Sequence, residues 1–222
     1  MRSDPGAAAV GWHVVLVVLA SASPARLAVL RSAGLDPLVE VADVDEEGLL
    51  ASIPDASAAE KVVHLAGAKV TSVARRIGAQ HPDALLIGCD SMLMFDGELV
   101  GKPGSVAAAR KRWRAMAGGT GELYTGHCVL RLADGEIDRV AEAAAVTTVR
   151  FADPSEAELE AYLATGEPVN VAGAFTLDGR GAWFVDGIDG DPSNVIGISL
   201  PLVRRLFASV DVHVTDLWRR AG

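Results

Sequence analysis

The stretch that most constrains the fold is residues 15–30, VLVVLASASPARLAVL. An aliphatic, β-branched run stops at a turn rich in Ser and Pro. It resumes with apolar residues at helical spacing. A short continuous apolar run marks a strand buried on both faces, and such strands belong to sheets covered by helices. The pattern predicts a strand over residues 13–20. Ser23 then N-caps a helix with Pro24 at its first position, Leu27 and Leu30 on one face, and Gly34 at its end. The turn presents the Ser21 and Ser23 hydroxyls beside unpaired backbone N–H groups, an arrangement that attracts anions to a helix N-terminus. A secretory leader is the rival reading. Only the seven residues Val14–Ala20 form the apolar run, and the segment ahead of it holds Asp4 as well as Arg2, so a leader is not expected.

The rest of the chain alternates in the same manner. Residues 38–44 read as a strand entering an acidic bend at Asp43–Glu47. Ser57 and Glu60 form a capping box that opens a long helix to Ile77. Residues 84–89 are a second buried strand, expected to end at Asp90. Asp96-Gly97 turns a hairpin between 91–95 and 98–100. Ser105 starts a basic helix to Met116. Asp134-Gly135 joins two long strands, 122–132 and 137–151. Pro154-Ser155 opens a helix to Ala164. Residues 180–188 read as strand, and 194–208 as strand or loop feeding a final helix. The expected class is α/β or mixed α+β, with antiparallel hairpins attached to a buried sheet. Residues 1–10 read as a flexible tail and 11–220 as a single domain.

Composition narrows the function. The formal net charge of −9 argues against a nucleic-acid partner, while leaving room for a small phosphate ligand met by a few local cations. Half of the residues are hydrophobic but only 5% are aromatic, so Val, Ala and Leu are expected to dominate the core. No apolar run is long enough to span a membrane. Cys89 and Cys128 sit in apolar runs without CxxC spacing, as reduced thiols of a cytoplasmic protein do.

Four local features point to phosphate chemistry: the Ser21–Arg26 turn, the Gly101-Lys102-Pro103 loop, Asp90 at the exit of a buried strand, and Asp45-Glu46-Glu47 in a loop suited to a hard divalent cation. Each alone has a plain structural reading as a cap, a solvated lysine, a turn residue or a solvated acidic face. The five histidines show no metal-binding spacing, and no nucleophile elbow is present. The Gly-rich stretch 172–181 reads equally as a base pocket or a turn.

In order along the chain, LASASPARLAVL, GCDSMLMFDGELVGKP, MAGGTGELYTG, GEPVNVAGAFTLDGRGAWFV and GDPSNVIGISLPL resemble the Maf (septum-formation inhibitor-like) nucleoside triphosphate pyrophosphatases, from about Val14 to Phe207. The resemblance implies an elongated mixed sheet flanked by helices, of the Maf/inosine-triphosphatase-like type, with two lobes around a nucleotide cleft. It implies a homodimer, and hydrolysis of a nucleoside triphosphate to monophosphate and pyrophosphate with a divalent cation, Mg²⁺ or Mn²⁺. By position it assigns phosphate contacts to Ser21, Ser23, Arg26, Lys69 and Lys102, the general base to Asp90, and metal ligation to Glu46 and Asp90. Base preference falls on Ala25, Ser91 and Asp178. Family members that prefer dTTP and UTP resemble Arg, Thr and Gln at these three places; those that prefer 7-methyl-GTP resemble an aromatic, Gln and Glu. This chain matches neither set, which implies relaxed specificity with pyrimidine triphosphates slightly ahead. The chain also departs from the family at Val171, where one branch has Lys. The implied role is removal of non-standard or excess nucleotides, with a link to cell-division arrest; the alternatives are a nucleotide-binding regulator of cell division with little turnover, from a different class, and a pyrophosphatase that prefers 7-methyl-GTP.

Overall fold

The computed structural model describes residues 15–218. The expected tail, residues 1–10, and the first two positions of the expected opening strand lie outside the described residues. The chain runs β1 (Leu16–Leu19), α1 (Pro24–Ser32), β2 (Leu38–Val39), α2 (Glu46–Ala51), α3 (Ala58–Ile77), β3 (Ala84–Phe95), β4 (Glu98–Val100), α4 (Val106–Met116), β5 (Thr120–Ala133), β6 (Glu136–Phe151), α5 (Glu156–Ala164), three 3₁₀ turns, β7 (Val185–Asp189), α6 (Pro192–Ile196), α7 (Leu200–Ser209) and α8 (Val214–Leu217). The sheet is mixed, in the order β2-β1-β3-β5-β6-β7, with β4 also on β3. β1 is parallel to β2 and β3, and the other pairs are antiparallel.

Helix starts follow their local chemistry. Ser23 caps α1 with Pro24 at the first position. Ser57 with Glu60 and Ser155 with Glu158 form complete capping boxes for α3 and α5. Four expectations are corrected. The strand expected over 38–44 is only Leu38–Val39, because its partner β1 stops at Leu19. Glu46 lies in the first turn of α2 rather than in a loop, because the Asp45 carboxylate accepts from Gly48 N and caps a helix. Residues 180–188 are a 3₁₀ turn, Arg180–Phe184, followed by β7. Residues 194–208 hold the end of α6 and nearly all of α7; Asp191 and Ser199 cap these helices, and each has Pro in its first turn.

The sheet is covered differently along its length. On one face, Val17, Leu19, Leu85, Ile87 and Val129 pack against Leu30 of α1 and Leu202, Val203, Leu206 and Phe207 of α7. On the opposite face, Val18, Leu86, Cys128 and Leu130 pack against Ala66, Val70, Val73 and Ile77 of α3. Farther along the long strands, Leu93, Leu123, Val149 and Phe151 meet Trp113 of α4, Tyr162 of α5 and Phe175. Most of the buried aromatics therefore gather at this end, with Phe207 in the first cluster as the exception. Trp113 lies edge-on to Phe151, Tyr162 and Phe184, and its indole N–H donates to Ala174 O.

Candidate active site

The site begins with a gap in strand pairing. β1 pairs with residues Ala84–Ile87 of β3, and β4 pairs with Leu93–Phe95 on the same edge. Between them, residues 88–92 of that edge carry no strand. β5 pairs with the other edge of β3 from Leu85 to Met94, so the strand continues straight through. This corrects the expectation that the strand ends at Asp90: Asp90 is mid-strand, held by β5 and bare on its other side. A parallel neighbour, β1, and an antiparallel one, β4, thus flank the bare stretch of this edge.

Alternation along β3 then divides the chemistry between two faces. Asp90 faces α3, and Ser91 faces α1 and α6. Two glycines allow α3 to lie close to the sheet. A Cβ on Gly126 would sit 2.1 Å from Val62 O, and one on Gly88 would sit 2.5 Å from Ala66 O. With α3 this close, Lys69 Nζ reaches Asp90 Oδ1 at 2.5 Å and Glu46 Oε1 at 2.7 Å. The Asp90 and Lys69 side chains are only 12% and 13% exposed, whereas Glu46 is half-exposed. Burial pushes the Asp90 carboxyl above the usual aspartate range, against the opposing pull of Lys69. Asp90 Oδ2 accepts no hydrogen bond among the described residues.

On the other face Arg26 is held at three points. Its Nε donates to Gly197 O at 2.8 Å, Nη1 to Ser21 Oγ at 3.1 Å and Nη2 to Ser91 Oγ at 3.0 Å. A guanidinium has five N–H donors, so one remains on each terminal nitrogen. The Ser23 hydroxyl oxygen accepts from the Arg26 backbone N–H as the cap of α1, which leaves its proton free to donate, and Ala25 lies beside it in the first turn. The structure thus assembles Ser21, Ser23, Arg26, Glu46, Lys69, Asp90 and Ser91 from four parts of the chain: the turn into α1, α2, α3 and β3.

Lys102 and Asp178 are not tied into this cluster. Gly101 O accepts from Arg112 Nη1 at 2.5 Å and Gly173 N at 3.2 Å, which fixes the loop backbone, but the Lys102 side chain is exposed. Asp178 is exposed and accepts from the Thr176 hydroxyl. The stretch 172–181 is built of 3₁₀ turns, Ala172–Ala174 and the start of Arg180–Phe184. Sequence reading missed Glu167 as their organiser. Its carboxylate accepts from Tyr162 Oη, Arg180 N and Gly181 N at 3.1, 3.0 and 2.8 Å. It also missed His127, which is fully buried and accepts from Ser199 N at 2.7 Å. Burial holds that imidazole down at about 4. Cys89 and Cys128 are free and buried, with thiols pushed up to about 11 and about 12, so neither supplies a thiolate nucleophile at neutral pH.

Glu46 and Asp90 converge on one cationic group, the Lys69 ammonium. Their hard oxygens fit a divalent cation. Among the described residues no group of three or more His, Cys, Asp or Glu is assembled for a metal. Two carboxylates completed by substrate oxygens are nevertheless the usual provision for Mg²⁺.

A family model described as Maf-like protein matches residues 16–210. The chain is 57% identical over 202 residues to a protein of Saccharopolyspora erythraea named nucleoside triphosphate pyrophosphatase, covering 90% of this chain and 96% of that one. It is 59% identical over 205 residues to a protein of the same name from Rhodococcus erythropolis, covering 91% and 96%. A Nocardia farcinica protein, also so named, is 58% identical over 204 residues, again covering 91% and 96%. No helix among the described residues is long and apolar enough to cross a membrane.

Proposed function

The chain belongs to the Maf family, and from that premise we propose that it hydrolyses nucleoside triphosphates to monophosphate and pyrophosphate. The observation that carries the reading is the convergence of Arg26, Lys69, Glu46 and Asp90 at the bare edge of β3. Arg26 and Lys69 approach that edge from opposite faces of the sheet, so a polyphosphate lying across it meets a cation on either side. Ser21, Ser23 and the first turn of α1 add donors to the same end. Lys102, exposed in the loop after β4 and tied to no partner in the cluster, is the further cation proposed for the phosphates.

Asp90 is the general base. Its Oδ1 is occupied by Lys69, and Oδ2 is available to accept a proton from water. A base with its pKa raised by burial is a stronger proton acceptor. The water oxygen attacks phosphorus, the bond to the bridging oxygen between the α- and β-phosphates breaks, and pyrophosphate leaves with the electron pair. Glu46 and Asp90 would hold a divalent cation, Mg²⁺ or Mn²⁺, which when bound neutralises polyphosphate charge. Lys69 then pairs with phosphate oxygens in place of one carboxylate.

The role proposed is removal of non-standard or excess nucleotides by a cytoplasmic homodimer with one domain over residues 11–220. The free, buried thiols of Cys89 and Cys128 support a reducing compartment. The test is incubation of the purified protein with UTP, dTTP, CTP, GTP and 7-methyl-GTP, with Mg²⁺ and after chelation. The expected products are monophosphate and pyrophosphate, and turnover stops when metal is removed. Orthophosphate and diphosphate instead would mean a different bond is cut. Nucleotide binding without turnover would favour the cell-division regulator.

A further inference from the structure

We propose that Thr125 is a positioning residue that sets the Arg26 guanidinium through Ser91. Resting on the reading of Arg26 as a phosphate ligand, the proposal adds what holds that ligand in place.

The hydrogen bonds have a fixed direction. Asn194 O is a carbonyl and can only accept, so Thr125 Oγ1, 3.2 Å away, donates to it. Thr125 has one hydroxyl proton. At the 3.0 Å contact between Ser91 Oγ and Thr125 Oγ1, Ser91 is therefore the donor. Its lone pairs are left for Arg26 Nη2, which can only donate. The chain thus runs Arg26 to Ser91 to Thr125 to the Asn194 carbonyl, each hydroxyl accepting from one side and donating to the other. Such chains polarise one another and gain from it.

The far end is rigid. Asn194 is fully buried. Its Nδ2 donates to Leu123 O at 3.2 Å and Thr147 Oγ1 at 3.1 Å, which pins α6 to β5 and β6. The residue after α6, Gly197, supplies the carbonyl for Arg26 Nε. Arg26 is therefore referenced to α6 twice, directly through Gly197 and indirectly through Thr125. Thr125 is fully buried and cannot touch a nucleotide, so any kinetic role it has is exerted through other residues. Its partner Ser91 spends its proton on Thr125, which leaves Ser91 only as an acceptor towards a ligand.

The experiment is a double-mutant cycle. Thr125→Val keeps the shape and removes both hydrogen bonds; Thr125→Ala removes the same hydroxyl without the extra methyl should Val fail to fold. The expected result is a fall in kcat/KM of about tenfold, the size of one or two lost hydrogen bonds. The fall resides mainly in kcat, because a misdirected guanidinium loses more in the transition state than in the ground state. Thr125→Ser should restore the rate. In an Arg26→Ala background the same substitution should cost less than about twofold, because the group it positions is gone. Full multiplication of the two effects would overturn the proposal, as would wild-type kinetics for Thr125→Val at unchanged melting temperature. If Arg26→Ala alone leaves the kinetics unchanged, the reading of Arg26 as a phosphate ligand fails, and the positioning role with it.

Discussion

Arg26 is held by three hydrogen bonds and Lys69 lies between two carboxylates, whereas Lys102 and Asp178 project from turns into solvent. The first pair belongs to the end of the sheet where helices cover both faces and parallel strands leave an edge bare. The second pair belongs to the end built of antiparallel hairpins and an aromatic core. On the proposed function, the difference divides the work. Groups already in place before substrate arrives lower the barrier without further ordering. Groups that must be ordered by substrate lose conformational freedom as they bind. Substitutions at the tied end should therefore act mainly on kcat, and those at the loose end mainly on KM.

The largest effect is expected from Asp90→Asn. It keeps the size but cannot take the proton, and kcat should fall by about 10²–10⁴ with nucleotide binding retained. A fall in melting temperature accompanied by loss of binding would make Asp90 a structural residue and remove the tied end from the chemistry.

A second test concerns what supports the tied end. His127 accepts from Ser199 N at the start of α7, and it must stay neutral to do so. Its pKa is about 4 in the fold against about 6.5 in an unfolded chain. Above about pH 6.5 both states are neutral at this site and stability is unaffected. Between about 6.5 and 4 only the unfolded state gains a proton, so stability should fall by about 3 kcal/mol as the pH is lowered through that window. His127→Gln retains an acceptor without titrating, and should flatten the denaturant midpoint against pH in the same range. An unchanged slope would place the acid sensitivity elsewhere.

Arg26→Ala and Lys102→Ala probe the contrast itself. One lost charge-assisted hydrogen bond is worth about 1.5–3 kcal/mol, or about 10- to 150-fold in kcat/KM. For Arg26 the loss should lie in kcat, and for Lys102 in KM with a smaller total. Equal losses in the same constant would erase the distinction between the two ends.

The smallest effect is expected at Asp178. Its carboxylate only accepts, so it suits base edges that offer N–H donors, as uracil, thymine and guanine do. Asp178→Gln should reorder kcat/KM among UTP, dTTP, CTP, GTP and 7-methyl-GTP by a few fold. A preference above about a thousandfold in the unaltered protein would rule out a roomy, weakly selective pocket.

Local chemistry made much of the architecture legible. Ser23-Pro24, Ser57 with Glu60, and the Asp-Gly pairs at 96–97 and 134–135 announce caps and hairpins because their physics is complete within about four residues. The residues that meet at the bare edge of β3 could be picked out in the sequence too, as Arg, Lys and carboxylates beside small hydroxyls, although each alone had a plain structural reading. Tertiary structure decided how they meet. β3 runs past Asp90 because β5 pairs with it, which strand propensity read from one segment does not show. Lys69 meets Asp90 because Gly88 and Gly126 admit α3 to the sheet. Arg26 is aimed by Gly197, 171 residues away, and by a hydroxyl chain that ends on α6. Those contacts join segments distant in sequence. Each depends on how close two backbones can approach and which edge of a strand is left unpaired, and neither is a property of any one segment.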